Sequence, residues 1–366
     1  MKIFIVANTS WCMYNFRLEV IQKLIELKHD VYLLSTKDNF SSKLSNIGVK
    51  FKYFDFDPHG KKILNEFILF MKIFLFFKKN KPDLVLNYTI KPVLYSGFAC
   101  FLLNIKFINF ITGIGNFLFK DILRTFLIMP FYRISIKKAK KVIFLNSSDL
   151  KNFLHKKLLK KDNSILFQYG EGVNLERFKS IPHEVNKNKF IFFHAGRLLR
   201  AKGLSDLVHA IRVLRLKYKN LFIDVAGNTD DGEEYISLKE LRYWEKEGII
   251  KYHGVSTNIS KLFNKVDCLC LQSSYGEGFP RIIMEANAMG VPVIATKIPG
   301  IIDSVIDGYN GFLHSINNHN ELVKCIEKFI NLSPRSRKNM INNCKSFARK
   351  NYDINNVVKS YLDFIK

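Results

Sequence analysis

Two segments in the second half of the chain carry charged residues at spacings that suit the binding of a diphosphate. In the first, FHAGRLLRAKGLSD, Arg197 and Lys202 follow an apolar run that ends at Gly196. Arginine presents a fork of hydrogen-bond donors and lysine a compact positive charge, so the two together neutralise phosphate oxygens. Taken singly, each residue also fits an ordinary surface charge.

The second segment, residues 273–300, has the sequence SSYGEGFPRIIMEANAMGVPVIATKIPG. Its glycines on either side of Glu277 predict a tight loop. A helix is predicted from Pro280 to Met289, because proline is favoured at the first helical position and Gly290 is a suitable terminator. A strand, a loop and a helix start in this order are typical of phosphate sites.

The start of the predicted helix presents free N–H groups and a partial positive charge. The backbone N–H groups of Arg281 and Ile282 are therefore candidates to hold a phosphate. Glu285 lies just over one turn into the helix, where a carboxylate can grip ribose hydroxyls, as at dinucleotide sites. Glu277 lies in the loop, nearer to the expected position of a sugar. A turn-capping Glu277 and a solvated Glu285 are the alternatives.

Strand-like apolar runs alternate with amphipathic helical segments, such as residues 16–27, along the whole chain. The runs are 3–7, 31–35, 84–87, 107–111, 142–146 and 165–168, and then 190–195, 221–226, 250–253, 268–272, 293–295 and 311–314. This alternation predicts parallel sheets with helices on both faces, which bind ligands beyond the carboxyl ends of their strands.

We therefore predict an α/β fold of two doubly wound Rossmann-like domains that face a cleft. The first domain is expected over 1–180 and the second over 181–350, joined through the polar segment 180–189. A final helix is expected within 351–366. The sequence leaves open whether it packs back on the first domain.

The chain has 366 residues and a net charge of +25, and most of the excess lies in residues 1–180, with 30 Lys and Arg against 13 Asp and Glu. Basic, aromatic and apolar residues together fit an anionic membrane surface better than a nucleic-acid groove. No recognition helix or RNP-like strand is evident. We expect a cytoplasmic protein that is peripheral on the inner face of the membrane and binds no nucleic acid.

Residues 63–77, ILNEFILFMKIFLFF, predict an amphipathic helix with a wide apolar face and flanking lysines. The helix is either packed deeply in the protein or docked on a membrane. Residues 92–119 contain no uninterrupted apolar stretch of the roughly 18 residues that a membrane span needs, and they predict a core helix followed by a strand.

The six cysteines show no metal-ligand spacing and are interpreted as reduced thiols. Cys268 and Cys270 are expected to face the same side of one strand. His194 fits a packed residue at a strand end, and the pair at 230–231 falls in a loop and fits a solvated position. We predict no cofactor and no obligatory metal.

The motifs GRLLRAKG and EGFPRIIMEANAMGVPVIAT closely resemble those of glycosyltransferase family 4, retaining enzymes of the GT-B fold. The resemblance implies that Arg197 and Lys202 hold the diphosphate of a nucleotide sugar, that Glu277 lies by the transferred sugar and that Glu285 binds the ribose. The catalytic candidates are then Glu277, Arg197 and Lys202. The implied donor-binding set is Arg197, Lys202, Glu277, Gly278, Phe279, Arg281, Ile282 and Glu285.

The first half is similar to a subgroup that acts on polyprenyl-diphosphate-linked sugars in bacterial glycan assembly. The matching residues are YNFR at 14–17, TIKP at 89–92, ITGIG at 111–115 and GVNLERF at 172–178. The implied acceptor-side residues are Asn15, Arg17, Lys91, Gly113 and Asn116.

The resemblance implies a hexosyltransferase that moves a hexose or N-acetylhexosamine from a UDP-sugar to a lipid-diphosphate-linked saccharide of an O-antigen, capsule or glycoprotein glycan. The sequence departs from the family where Thr89-Ile90-Lys91 stands in place of a frequent histidine, and where Glu171 replaces a small residue. A nucleotide-sugar epimerase or hydrolase of the same fold, and a non-catalytic basic protein that binds membrane or nucleic acid, are the competing interpretations.

Overall fold

A computed structural model describes residues 1–56, 63–113, 122–159, 161–167, 170–179, 189–230, 232–256 and 258–365. The chain divides into two compact units, one formed by Met1–Glu171 with Ile354–Lys366 and the other by Gly172–Asp353. The predicted linker 180–189 lies outside the described residues, apart from Lys189.

The first unit is built around a seven-stranded parallel sheet in the order β3-β2-β1-β4-β5-β6-β7. Its elements are β1 (Lys2–Thr9), α1 (Ser10–Glu26), β2 (Asp30–Thr36), α2 (Ser41–Asn46), β3 (Lys50–Tyr53), α3 (Ile63–Asn80), β4 (Leu84–Tyr88), α4 (Ile90–Leu102), β5 (Phe107–Ile111), α5 (Ile122–Lys138), β6 (Lys141–Phe144), α6 (Ser147–His155), β7 (Ser164–Leu166) and the last helix of the chain, α13 (Ile354–Ile365).

The second unit is built around a six-stranded parallel sheet in the order β10-β9-β8-β11-β12-β13. Its elements are β8 (Phe190–Ala195), α7 (Leu204–Arg215), β9 (Leu221–Ala226), α8 (Leu238–Lys246), β10 (Ile250–Tyr252), α9 (Ile259–Phe263), β11 (Cys268–Leu271), α10 (Arg281–Met289), β12 (Val293–Thr296), β13 (Gly311–His314), α11 (His319–Ile330) and α12 (Pro334–Asn351).

Both sheets have a point at which the strand order reverses. In the first unit the chain moves outward from β1 to β3 and returns to β4 beside β1. In the second unit it moves outward from β8 to β10 and returns to β11 beside β8. The loops that follow the paired central strands diverge there and leave a crevice beyond the strands, which is where doubly wound sheets bind ligands.

The strands β4, β5, β11 and β12 are buried along their whole length. Strands that are covered on both faces are near-continuous apolar runs, which explains why the hydrophobic pattern predicted them. The pattern did not predict β3, whose sequence KFKY is half lysine and which lies at the edge of its sheet.

The first helix begins earlier than the predicted helical stretch 16–27. It starts at Ser10, because the Thr9 hydroxyl accepts a hydrogen bond from the Cys12 backbone N–H and caps the first turn. The later helix α10 is bounded as predicted at its end by Gly290, whereas Pro280 is the residue just before the helix and not its first residue.

Helix α13 packs within the first unit. The Tyr361 ring stacks on Phe110 at 5.0 Å between centroids, and Phe364 meets Phe167 edge to face at 5.8 Å. Phe110 in turn stacks on Tyr88 at 4.5 Å. The last helix therefore completes the aromatic core at the end of β4 and β5.

Helix α3 is apolar on two opposite faces. Its inner face buries Leu69, Ile73 and Phe77 in the core of the first unit. Its outer face exposes the four side chains of Leu64, Phe67, Ile68 and Leu75. None of the described helices is long and apolar enough to cross a membrane.

Candidate functional site

Three loops meet at the point where the second sheet reverses its strand order. They follow β8, β11 and β12, and two backbone hydrogen bonds join them. The Ser274 N–H donates to the Ala201 carbonyl at 2.8 Å, and the Glu277 N–H donates to the Pro299 carbonyl at 3.1 Å. The two segments that the sequence singled out for diphosphate binding are thus brought together.

Two glycines allow these loops to approach one another. Gly203 has a φ of +73°, and a Cβ placed there would lie 2.3 Å from the Gln272 carbonyl oxygen. Gly300 has a φ of +81°, and a Cβ placed there would lie 2.3 Å from the Glu277 carbonyl oxygen. Side chains at either position would be strained and would force the loops apart.

Lys202 and Glu277 form an ion pair, and both side chains are largely buried. The Ser273 hydroxyl donates to the same Oε1 atom of Glu277 at 2.5 Å. The Lys202 ammonium also lies 5.2 Å from the centre of the Tyr275 ring. The sequence predicted the lysine and the glutamate as ligands but did not predict that they contact each other. It also did not predict the contacts of Ser273 with Glu277 and of Tyr275 with Lys202.

The two arginines of GRLLRAKG differ in their surroundings. The Arg200 guanidinium makes two hydrogen bonds of 2.8 Å to the Glu240 carboxylate, one to each oxygen. Arg197 is exposed, and no described residue accepts a hydrogen bond from its side chain. Arg197 therefore has no internal partner among the described residues, whereas Arg200 is engaged within the protein. Anion binding by Arg197 stays a prediction.

The first turn of α10 carries an internal ion pair. The Arg281 Nε donates to Glu285 Oε1 at 2.9 Å, and both side chains are mostly buried. Burial raises the pKa of the Glu285 carboxyl above its ordinary value, although the charges of Arg281 and Arg177 act in the opposite direction. Glu285 is thus not a solvated helix residue.

The remaining donor-side residues lie around the same loop. A Cβ placed on Gly300 would lie 2.7 Å from the Gly278 carbonyl oxygen, so the two backbones are close. Ile282 is half-buried in the first turn of α10. The buried Phe279 ring packs edge to face on Tyr352 at 5.8 Å. Phe279 is therefore a packing residue beneath the loop in this structure.

His194 is buried at the end of β8, as the sequence indicated. Its Nδ1–H donates to the Cys270 carbonyl at 3.1 Å, and no described residue lies in hydrogen-bond contact with its Nε2. Burial lowers the pKa of the His194 imidazole to about 4, and the positive charge of Lys202 acts in the same direction. Cys268 and Cys270 both face the apolar core of the second unit, which confirms their predicted common side.

Two of the predicted acceptor-side cations are buried against carboxylates in the first unit. The Arg17 guanidinium donates to Glu171 Oε1 at 2.9 Å and lies 5.3 Å from the ring centre of Tyr88 and 5.9 Å from that of Tyr361. Lys91 donates to Glu66 Oε1 at 2.6 Å, and only 4% of its side chain is exposed. Their charges are neutralised inside the protein, so both have a structural role here.

The other acceptor-side predictions differ in their placement. The Asn15 side-chain amide is partly exposed and donates to the Trp11 carbonyl at 3.0 Å. Gly113 has a φ of +140°, which L side chains rarely adopt. Asn116 lies outside the described residues. A further unusual residue is Thr89, whose φ of +70° at the end of β4 is a rare backbone conformation for a β-branched residue.

Within the part of the chain that the structure describes, no group of three or more His, Cys, Asp or Glu residues is arranged to hold a metal ion. Asp230 is exposed in the loop after β9, and Asp231 lies outside the described residues. Independence of metal stays a prediction.

Comparison with known proteins gives two family matches. The model described as glycosyl transferase 4-like matches residues 2–147, and the model described as glycosyl transferases group 1 matches residues 176–347. The second match contains every residue predicted to bind the donor.

Two curated proteins align with most of this chain. One is the N,N'-diacetylbacillosaminyl-diphospho-undecaprenol alpha-1,3-N-acetylgalactosaminyltransferase of Campylobacter jejuni, which is 25% identical over 99% of this chain and 97% of its own length. Another is the capsular polysaccharide biosynthesis glycosyltransferase CapM of Staphylococcus aureus, 26% identical over 86% of this chain and 87% of its own length.

Solved structures share the fold. Anabaena HepE in complex with UDP superposes with a TM-score of 0.80 at 20% identity, and the match covers 100% of this chain and 99% of that one. The lipopolysaccharide outer core galactosyltransferase WaaB gives a TM-score of 0.71 at 17% identity, with 100% and 99% covered. These likenesses confirm the predicted α/β fold class of two Rossmann-like domains.

Proposed function

The chain belongs to the family 4-like glycosyltransferases of the GT-B fold, and we propose that it moves a hexose or N-acetylhexosamine from a UDP-sugar to a lipid-diphosphate-linked saccharide. The proposed transfer retains the anomeric configuration and takes place in the assembly of a bacterial surface glycan. The observation that carries the proposal is the ion pair of Lys202 and Glu277, which joins the loops after β8 and β11 at the reversal point of the second sheet. Arg197 belongs to the first of these loops, and α10 begins shortly after Glu277.

The donor half of the proposal assigns a role to each charged group. Arg197, Lys202 and the first N–H groups of α10 bind the diphosphate and stabilise the negative charge that grows as the anomeric bond breaks. Glu285 binds the ribose hydroxyls and Glu277 faces the transferred sugar. The acceptor hydroxyl attacks on the face from which the diphosphate leaves, and its proton passes to the departing phosphate oxygen.

The uridine nucleotide is proposed from the relatives. HepE has been solved with UDP and with UDP-glucose, and its fold matches this chain over its full length. The lipid-linked acceptor is proposed from the Campylobacter jejuni relative, whose name specifies a diphospho-undecaprenol-linked acceptor. The proposed acceptor-side residues are Asn15, Arg17, Lys91, Gly113 and Asn116. Of these, Asn15 and Gly113 are neither fully buried nor ion-paired.

The location of the proposed acceptor requires contact with a membrane surface, and α3 suits it. Its outer face presents Leu64, Phe67, Ile68 and Leu75, while the exposed lysines Lys72, Lys78 and Lys79 border these side chains. Apolar side chains of this kind insert at the headgroup level, and the lysines attract anionic lipids. We place the enzyme at the inner face of the cytoplasmic membrane, attached through this outer face of α3.

The test combines ligand screening with two variants. UDP-, GDP- and ADP-sugars are compared by thermal shift, and the UDP-sugars are expected to raise the melting temperature by mass action. Arg197→Ala and Lys202→Ala should each lower the rate of transfer about 10²- to 10³-fold. Lys239→Ala, which removes an exposed lysine on α8, is the matched control.

Three results would contradict the proposal. Transfer near the wild-type rate in Lys202→Ala would remove the diphosphate assignment. Release of free sugar or of an epimerised nucleotide sugar, without a glycosylated acceptor, would favour a hydrolase or epimerase. Loss of activity on chelation of divalent cations would contradict the absence of an obligatory metal.

A further inference from the structure

We propose that Ser273 is a positioning residue that orients the Glu277 carboxylate towards the donor sugar, an inference that rests on the proposed function. Glu277 Oε1 receives hydrogen bonds from both Lys202 and Ser273. A bound diphosphate competes with Glu277 for Lys202. Ser273 is the donor that keeps hold of the carboxylate once the lysine turns to the phosphates.

The geometry of the Ser273 contact suits this task. Its Oγ lies 2.5 Å from Glu277 Oε1, which is the length of a strong hydrogen bond between a hydroxyl and a carboxylate. Ser273 is completely buried, so water does not replace it as the donor. The serine side chain is short and rotates about a single Cα–Cβ bond, whereas the lysine ammonium lies at the end of a long flexible chain. The serine hydroxyl is therefore the better fixed of the two donors.

The backbone of Ser273 is itself held by a hydrogen bond, and the side chain of its neighbour Gln272 is held by two. The Thr296 hydroxyl, at the end of β12, donates to the Ser273 carbonyl at 2.7 Å. The neighbouring Gln272 amide donates to the Ile294 carbonyl at 3.2 Å, and the Gln272 Oε1 atom lies 2.8 Å from His314 Nε2. These buried polar groups tie the ends of β11, β12 and β13 together beneath the loop.

A side chain held this firmly by the sheet fixes the orientation of the group to which it donates. The Glu277 carboxylate would otherwise depend on Lys202 alone, which the substrate engages. The loop carrying Glu277 is fixed at its backbone by the hydrogen bond to Pro299, so the remaining freedom is in the side chain. Ser273 removes that freedom.

The decisive experiment is a double-mutant cycle. Ser273→Ala should lower kcat about 10- to 100-fold, the range for loss of a hydrogen bond to a charged group, with little change in the KM for the nucleotide sugar. In a Glu277→Gln background, Ser273→Ala should lower kcat by a much smaller factor, because the charged partner of the serine is gone. Equal losses in both backgrounds would overturn the positioning role.

Ser96→Ala is the matched control. It removes an equally buried serine hydroxyl, one that donates to Asn87 Oδ1 at 2.6 Å in the first unit, and it should affect the melting temperature without affecting kcat. If Ser273→Ala does not fold, Ser273→Cys keeps the shape and supplies only a weak donor. A wild-type kcat in folded Ser273→Ala, or in Ser273→Cys where the alanine variant does not fold, would refute the inference.

The cycle also separates this inference from the proposed function. If Glu277→Gln or Lys202→Ala retains full transfer, the donor site itself is wrongly assigned. If those variants are impaired while Ser273→Ala is not, the donor site stands and the positioning role of Ser273 falls.

Discussion

The outer face of α3 gives the most direct quantitative test of membrane attachment. Leu64 and Phe67 leave 68% and 59% of their surface exposed, and neither belongs to the core that holds the helix in place. Replacing both by serine removes apolar surface from the outer face and leaves the inner contacts of Leu69, Ile73 and Phe77 unchanged.

The magnitude follows from these exposures. Full burial of a leucine or phenylalanine side chain contributes about 1.5–3 kcal/mol, so burying the exposed part of the two gives about 2–4 kcal/mol. Since about 1.4 kcal/mol is a factor of ten, the doubly substituted protein should bind vesicles about 30- to 700-fold more weakly. Lys72, Lys78 and Lys79 each contribute about 1 kcal/mol to the free energy of binding to an anionic surface. This electrostatic contribution should decrease as the salt concentration rises.

The assay is co-sedimentation with vesicles of phosphatidylethanolamine and phosphatidylglycerol over a range of lipid concentrations. Leu216→Ser is the control, because it changes a leucine that is 83% exposed in the second unit. Thermal melts check that the α3 variant is folded. Unchanged vesicle binding by the folded α3 variant, or an equal loss in Leu216→Ser, would refute the docking face.

Two further predictions concern buried charges. His194 stays neutral in the folded protein down to about pH 4, whereas an unfolded histidine takes up a proton below about pH 6.5. Acidification through this range should therefore lower the free energy of unfolding by up to about 3 kcal/mol, and His194→Gln should remove that slope in denaturant titrations. Arg17→Met leaves the Glu171 carboxylate buried without its cation and should lower the free energy of unfolding by about 3–5 kcal/mol, whereas adding Glu171→Gln should restore much of it.

Each of these predictions has its own control. For the histidine, His155→Gln changes an exposed residue and should keep the wild-type dependence on pH. An unaltered slope in His194→Gln would assign the acid sensitivity to other groups. For the ion pair, the outcome depends on whether Arg17→Met with Glu171→Gln is more stable than Arg17→Met alone. If it is not, the loss of stability comes from the packing of the guanidinium against Tyr88 and Tyr361 and not from the unpaired charge.

The fold was largely predictable because its signal is local. The run CLCL in β11 is apolar at every position, and FINFI in β5 is apolar except for Asn109, as expected of strands covered on both faces. The edge strand β3 lacked that signal because lysine occupies alternate positions. The start of α1 was misplaced because the cap is one hydroxyl of Thr9, which apolar periodicity does not register.

The contacts of the candidate site were less predictable because they join distant residues. Lys202 and Glu277 are 75 positions apart, and Arg17 and Glu171 are 154 apart, so no spacing rule pairs them. The sequence predicts Arg17 as an acceptor-side residue but gives no sign of its buried ion pair with Glu171. One signal was present in the sequence. Glu171 stands where the family has a small residue, and a buried carboxylate at such a position indicates that a cation lies nearby.

The return of α13 to the first unit imposes an order on biosynthesis. Residues 1–171 leave the ribosome first, but the aromatic layer on Phe110 and Tyr88 lacks Tyr361 until the second unit has been made. At roughly 5–20 residues per second, that delay lasts about 10–40 s. During this interval the rings of Phe110 and Tyr88 in the nascent first half lack the cover that Tyr361 gives them in the finished protein.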